Sequence, residues 1–437
     1  MCIRNTILKK IFFIASFLIF LCLFIWWSKN HTKSLKNTDD SIKVWHWMTD
    51  RHSVFKQLGE RYFKETGHKV IFELNAPSNL YSAKIRTAAQ TNNLPDIFGV
   101  LGGKQELASY IQAGLVTSLT DPLMKNNSSW ESVFLDKALN TTRFYENNRW
   151  GVLPGYYGIP IDFANIQMIY NKDIFAEIGI TKIPRTWDEF IKTGELVIAK
   201  TNKEFFIAGL GETWIIRSLI RNLAYNMLGK ERYLQTIRGE FSYNSKEWIE
   251  VFYKIKEMAD KGLFAVGVVT MINKKAERLF TTGRAAVSYN GSWCVNVYKG
   301  MNPDMNYGTM FFPTVNPENP TVIQGGAGSS FIVSGATTKK RETIDFLKWL
   351  TSKEIQVFLS LKTVNLPSNI DAIRELPPNL NQFAKRMTDI IHPDLMPVME
   401  EAEVKEVLAK EVQLLIIKSK GVTPESVAEK VAALKEK

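Results

Sequence analysis

A chain of 437 residues, 45% hydrophobic and 23% charged, has a globular composition and enough length for two domains with full cores. Its net charge of +11 makes only a weak case for nucleic-acid binding, because residues 1–36 hold six basic and no acidic side chains, and beyond them Lys and Arg are scattered among Asp and Glu. Aromatic residues reach 12%, with 11 Trp, more than packing alone usually requires, so part of them is expected to line a cleft.

In chain order, Ile11 to Trp27 is an uncharged apolar run of 17 residues preceded by Arg4, Lys9 and Lys10. That is the lower limit for a membrane-spanning helix and long for a signal-peptide core. No small-x-small cleavage site follows, and Ile19-Phe20-Leu21 before Cys22 is too bulky for a lipidation signal. An uncleaved anchor is favoured over a cleaved signal, and either places the body outside the cytoplasm. Asn30 to Ser41 reads as a polar tether. Ile42 to Met48 is a strand, Val54 to Thr66 an amphipathic helix closed by Gly67, and Lys69 to Leu74 a second strand. A helix over Leu80 to Gln90 and a strand over Asp96 to Val100 complete a β-α-β-α-β rhythm, which predicts a mostly parallel α/β sheet.

The middle repeats that logic, with a strand at Gln167 to Tyr170 and a short helix closed by Gly179. Thr186-Trp187-Asp188-Glu189 is a capping box that opens a helix to about Lys200. Trp248 to Lys261 and Asn273 to Thr282 are further helices. Then comes FTTGRAAVSYNGSW, Phe280 to Trp293: Gly283 as a left-handed cap, Ala285 to Val287 as a strand covered on both faces, and Asn290-Gly291-Ser292 as a turn. Trp293 thus emerges at a strand end, the edge where open α/β sheets bind ligands. Lys339 to Thr351 and Glu401 to Lys420 are helices, and Thr423-Pro424 starts a last one with proline at its first position. Cys294 is the one thiol of the body and reads as an inert core residue, so no internal disulfide is expected.

From Ile42 to Lys437 the chain resembles the family 1 extracellular solute-binding proteins, the carbohydrate receptors of bacterial ABC importers, of which maltose-binding protein is the familiar type. The matching segments are VWHWMTD (Val44 to Asp50), YFKETGHKV (Tyr62 to Val70), Tyr81 with Lys84, LPDIF (Leu94 to Phe98), GIPIDFANIQMIYNKDIF (Gly158 to Phe175), PRTWDEF (Pro184 to Phe190), FTTGRAAVSYNGSW and GGAGSSFIVS (Gly325 to Ser334). The resemblance implies a type II periplasmic-binding-protein fold: two α/β lobes with a hinged cleft, closing on ligand. Lobe 1 is expected to comprise 41–160 and 290–352, and lobe 2 161–289 and 353–437. Crossings are expected near Pro160 to Asn165, Ser288 to Gly291 and Thr351 to Glu354. A monomer that hands a carbohydrate to ABC permease subunits follows from the same resemblance; a sensor for a membrane signalling partner remains the alternative.

Sugar recognition combines aromatic rings under apolar pyranose faces with charged and amide groups at the hydroxyl rim. Trp45, His46 and Trp47 alternate, so one face of their strand meets core and the other the cleft. Asp50 is either a ligand contact or a helix N-cap, and Asp96 either binds ligand or makes a capping or hinge hydrogen bond. Tyr157, beside Tyr156 between two glycines, is expected to project into the cleft, and Asp162 lies in a crossing. Trp214, with Glu212 and Arg217 in GLGETWIIRS, contacts ligand or packs an interface. Gly326, beside Gly325, lets backbone amides approach a ligand, and Trp293 is the candidate clamp. No phosphate loop is present, and the five histidines show no metal spacing. No cofactor or metal is implied. Catalysis has little support, although two carboxylates facing each other across a cleft, such as Asp50 and Glu212, are what a glycosidase would need.

Overall fold

The computed structural model describes residues 40 to 435 apart from 77, 102, 385–389 and 392–399. The apolar run Ile11 to Trp27 lies outside the described residues. Among the described residues no helix is long and apolar enough to cross a membrane.

Apart from a small pair at Arg143–Phe144 and Gly155–Tyr156, the strands are β1 (Ile42–His46), β2 (Val70–Leu74), β3 (Ile97–Gly99), β4 (Ile159–Asn171), β5 (Glu204–Ile207), β6 (Ala285–Gly291), β7 (Tyr307–Met310), β8 (Ile323–Val333) and β9 (Ile390–Ile391). Together they form one sheet in the order β2-β1-β3-β8-β4-β6-β5, with β9 beside β8 and β7 beside β4. Only the flanks follow the expected parallel pattern: β2, β1 and β3 are parallel, as are β5 and β6. The two long central strands run antiparallel to each other, to β3 on one side and to β6 on the other. The sheet is therefore mixed.

The helices used below are α1 (His52–Thr66), α2 (Ser78–Gln90), α3 (Thr120–Ser128), α4 (Trp187–Lys200), α5 (Thr213–Arg238), α6 (Lys246–Asp260), α7 (Asn273–Thr281), α8 (Cys294–Met301), α9 (Lys340–Leu350), α10 (Lys353–Thr363), α11 (Ala402–Ile416) and α12 (Pro424–Lys435). Local chemistry explains their ends. The capping box at α4 is complete, with Glu189 N–H donating to Thr186 Oγ1 at 3.3 Å and Thr186 N–H to Glu189 Oε2 at 3.1 Å. Such a cap contributes about 1 kcal/mol. Gly67 closes α1 at φ +78°, a left-handed angle that glycine alone adopts freely.

Burial divides the long strands between different cores. Ile159 and Ile161, early in β4, pack with Val44, Phe55, Phe72, Phe331 and Val333. Phe163, Ile166, Met168 and Ile169, later in β4, pack with Phe206, Val287, Trp248 and Ile323. A third cluster around Tyr81, Phe98 and Ile332 covers the other face of the β1–β3 flank. Each central strand thus enters one hydrophobic core at one end and a second core at the other.

The third passage between cores falls inside and after α10: Ile355 and Leu359 join the β1 core, whereas Val364 and Leu366 join the larger one. That is later than the expected Thr351 to Glu354. The expected passage at Ser288 to Gly291 differs more, because β6 and the following Cys294, Val295, Tyr298, Met310 and Phe312 all lie in the larger core. The strand that passes between cores there is β8. Asn290 and Gly291 likewise belong to β6 and pair with Gln167 and Ile166, so the turn begins only at Ser292.

Candidate functional site

Strand register shows where the flanks end relative to one another. Gly99, the last residue of β3, pairs with Phe331, which pairs with Ile159. Gly291, the last residue of β6, pairs with Ile166. The carboxyl ends of the two parallel flanks therefore face each other over residues 160–165 of β4, a gap of about 20 Å at strand spacing. Ligands of open α/β sheets bind beyond such ends.

A tryptophan rests on a glycine at each side of that gap. The Trp47 ring lies over Gly99 so closely that a Cβ built there would fall 2.4 Å from its Cζ3. Its centroid is 5.1 Å from that of Tyr81, whose hydroxyl accepts the Gly99 N–H at 2.8 Å and lies 3.1 Å from the Trp45 carbonyl. Opposite, the Trp293 ring folds back over its own strand end, and a Cβ on Gly291 would sit 2.1 to 2.4 Å from three ring atoms. Trp293 meets Trp214 edge-to-face at 5.8 Å. All three tryptophans are half-buried.

Polar groups occupy the space between. Buried Arg51 donates to Asp50 Oδ2 at 3.2 Å and forms a short ion pair with buried Asp162 of β4. Asn365 reaches Asp50 from the chain that follows α10, at 3.4 Å. Burial alone would raise the Asp50 carboxyl. The Arg51 guanidinium outweighs it, with help from Lys274 and Asn365, and holds Asp50 below the ordinary carboxylate range. Lys274 belongs to α7 on the far side, so charges from the two flanks act on each other across the gap. Lys274 also pairs with fully buried Glu277 at 3.0 Å. Glu277 Oε1 accepts from the amides of Asn273 at 2.9 Å and Asn290 at 3.1 Å. Glu212 joins two elements, accepting the Trp214 indole N–H at 2.9 Å and the Asn273 backbone N–H at 2.6 Å.

This arrangement coincides with a sequence match. The family model for bacterial extracellular solute-binding proteins aligns with residues 46–357. The chain belongs to that family. A multiple sugar-binding protein of Streptococcus mutans is 25% identical over 332 residues, spanning 74% of each chain. Among solved structures, a chitin oligosaccharide binding protein superposes with a TM-score of 0.75 at 22% identity, over 91% of this chain and 98% of that one. A raffinose complex of the solute-binding protein RafE gives 0.72 at 17% identity, over 90% and 98%. These structural likenesses establish the fold.

Within this solute-binding fold the residues singled out from sequence part company. Trp45, Trp47, Asp50, Asp162, Trp214 and Trp293 gather at or beneath the facing strand ends. Trp45 is tied to its own flank, its ring lying 3.7 Å beneath the Lys84 ammonium. Asp50 does not cap α1, whose N-cap residue is Arg51 without a side-chain cap bond. Asp162 is spent on Arg51. Tyr157 turns inward instead of into the gap: it is 5% exposed, packs against Phe144 and donates its hydroxyl to the Leu153 carbonyl at 2.9 Å. Asp96 precedes β3 and so stands at the opposite edge of the sheet, accepting the Lys43 N–H at 2.9 Å and the Thr337 hydroxyl at 2.5 Å. Gly326 is buried in β8 opposite Ala164. The glycine that meets solvent is Gly328, at a register shift, where a Cβ would come within 3.0 Å of Asp162 Oδ1.

Sequence reasoning overlooked Arg51, Asn273, Lys274, Glu277 and Asn365. For the α7 residues a signal existed, since Asn, Lys and Glu stand at a helix start beside the conspicuous Phe280 to Trp293 stretch. For Asn365 there was none. His46 was noticed only as part of an alternation; it is wholly buried against Phe55 and Phe72. Its Nδ1 accepts the Met48 N–H at 3.2 Å, so its Nε2 carries the proton donated to His52 Nδ1 at 3.1 Å. Burial, then His52 and Arg51, push the His46 pKa down to about 3. Among the described residues no group of His, Cys, Asp and Glu could hold a metal ion.

Proposed function

We propose that this protein is an extracytoplasmic receptor that captures a carbohydrate, most simply an oligosaccharide, and delivers it to an ABC permease. The observation that carries the reading is the pair of tryptophan rings, Trp47 on Gly99 and Trp293 on Gly291, at opposite sides of one gap with Asp50, Lys274 and the Glu212–Trp214 pair between them. Aromatic faces suit the apolar faces of pyranose rings, and charged and amide groups suit their hydroxyl rims. The names of the relatives support the same class: a multiple sugar-binding protein, a chitin oligosaccharide binding protein and a raffinose complex. The matched relatives are binding proteins, which favours capture without turnover.

In this reading the two cores are two lobes. The first takes in 40 to about 162 with about 329 to 359; the second takes in the remainder of the described chain. The central strands and the segment after α10 are the crossings, and the register shift at Gly328 is the hinge in β8. A ligand bridging both rings stabilises the closed form in proportion to its extra contacts there. The segment Ile11 to Trp27 would tether the receptor, as a monomer, to the outer face of the membrane beside its permease.

Calorimetry of the purified chain against a panel of galactosides, glucosides and chitin oligosaccharides tests the proposal. Saturable binding to at least one saccharide, without release of new reducing ends, is the expected result. A panel with no binder, or hydrolysis of the bound sugar, would sink it.

A further inference from the structure

Away from the gap, a cavity of about 360 Å³ opens between α3, the turn Glu131–Val133 and the junction of α9 with α10. Its lining includes Lys125, Ser129, Trp130, Lys348, Thr351 and Ser352. The floor is rigid. Trp130 is buried, and its indole N–H donates to Thr351 Oγ1 at 2.9 Å, while Thr351 Oγ1 donates to the Leu347 carbonyl at 2.8 Å. Asn369 binds the Thr351 carbonyl at 2.9 Å from a third direction. The half-buried Lys348 ammonium stands 5.4 Å above the Trp130 ring, which fixes its position over the floor.

The cavity gathers positive charge without a counter-charge. Lys125 and Lys348 have no carboxylate partner among the described residues. Three carboxylates on neighbouring elements are already engaged: Glu131 by the Tyr156 hydroxyl and, at 4.0 Å, by Arg143; Glu354 by Arg61; Glu375 by Lys353 at 3.1 Å; Asp121, one turn before Lys125 on α3, does not line the cavity. Two ammonium groups and the Ser129 hydroxyl around one concave floor suit an oxyanion with several acceptor atoms, while Ser352 Oγ already donates to the Trp349 carbonyl at 2.8 Å.

We infer that this cavity is a second binding site, independent of the interlobe gap, that takes a phosphoryl group. Lys125 and Lys348 neutralise it, Ser129 donates to a remaining oxygen, and the volume leaves room for a small polar body attached to the phosphate. The phosphoryl group is either a free phosphate ester or ion, or the headgroup of a phospholipid.

Calorimetric titration of the full chain in neutral detergent tests this, using inorganic phosphate, glycerol phosphate and a short-chain soluble phosphatidylglycerol as probes. At least one should bind saturably, and the double variant Lys125→Gln with Lys348→Gln should bind it at least tenfold more weakly. Tighter capture of the lipid than of inorganic phosphate assigns a headgroup, and the reverse order assigns a free ion or ester. Should the double variant not fold, Lys125→Gln alone removes one exposed charge and should still weaken binding severalfold. The inference is overturned if wild type takes up none of the three probes saturably, or if removing the lysines leaves uptake unchanged. Saccharide binding in the gap should be the same in all variants, which keeps this result separate from the receptor proposal.

Discussion

The two tryptophan seats solve one problem by different means. Trp47 lies on a glycine of the neighbouring strand and is fixed by Tyr81, a neutral group hydrogen-bonded to backbone. The charges near it, Asp50, Arg51 and Asp162, pair through Arg51, although Asp162 Oδ1 is left buried without a hydrogen-bond partner. Trp293 lies on a glycine of its own strand, and its neighbour Trp214 is oriented by a carboxylate that also holds the start of α7. The first seat is therefore braced by the fold, and its charges serve stability. The second is braced by a polar network at the surface of the gap, so its charges serve the ring. Perturbations on the first side should register as lost stability, and those on the second as lost binding.

The largest expected effect is on the first side. Arg51→Met keeps volume but leaves Asp162 buried without its partner, and breaking a buried pair in this way costs about 3–5 kcal/mol. Denaturant unfolding should show that loss. A cost below about 1 kcal/mol would mean that Asp162 finds another partner and that the trio does not brace this side of the sheet.

Acid should separate the sides next. The native His46 pKa is about 3, against an ordinary 6.5, so the unfolded chain takes up a proton that the folded chain refuses. Its contribution is complete above pH 6.5, declines as pH falls from there, and levels off below about pH 3. The slope approaches about 1.4 kcal/mol per pH unit. Asp50, held below its ordinary value, adds a further loss that sets in as pH falls through the ordinary carboxylate range and continues to lower pH. Among the described residues the second side has no such histidine beneath it; Cys294, buried at the start of α8, has its thiol pushed up and stays neutral on acidification. Hydrogen exchange at pH 5 should thus show amides of β1 and α1 loosening before those of β6 and α8. Equal loosening on both sides, or an unchanged slope in His46→Gln, would count against the assignment.

The glycines allow a direct comparison. Gly291→Ala places a methyl where the Trp293 ring lies, its three nearest neighbours all being atoms of that ring, so the ring must leave its seat. Saccharide affinity should fall about tenfold or more while the melting temperature shifts by only a few degrees. In Gly99→Ala the added Cβ meets the Trp47 ring and also the Ser330 carbonyl at 3.3 Å. That variant should lose about 1–3 kcal/mol of stability along with affinity. Equal stability losses in the two would erase the distinction drawn between the seats.

These seats also mark what the sequence could and could not reveal. Strand β1, helix α1, the capping box of α4 and the fully buried Ala285 to Val287 follow from local periodicity and end chemistry, which fold context did not override. Asn290-Gly291 has the composition of a turn, yet pairing with Ile166 and Gln167 keeps both residues in the strand, and the glycine is needed for the room it leaves Trp293. The central strands were read only in fragments because polar Asp162, Asn165 and Gln167 and the glycines of β8 break the apolar period. Asp50 meets Asn365 across 315 positions of sequence, a contact that no local pattern announces. Tyr157 and Asp96 illustrate the converse: residue type suggested a cleft, and packing gave one to the core and the other to the far edge of the sheet.

The smallest predicted change is the most discriminating for the second side. Glu212→Gln preserves shape and one acceptor, so the amide can serve either the Trp214 indole or the Asn273 N–H with its oxygen but not both. Losing one charge-assisted bond at a half-buried site costs about 1–2 kcal/mol. If the carboxylate orients the ring, that cost should appear mainly in saccharide affinity, with a severalfold to tenfold rise in Kd and little change in unfolding midpoint. A variant destabilised by the same amount with affinity intact would show that Glu212 secures the start of α7 and leaves Trp214 to be positioned by Trp293 alone.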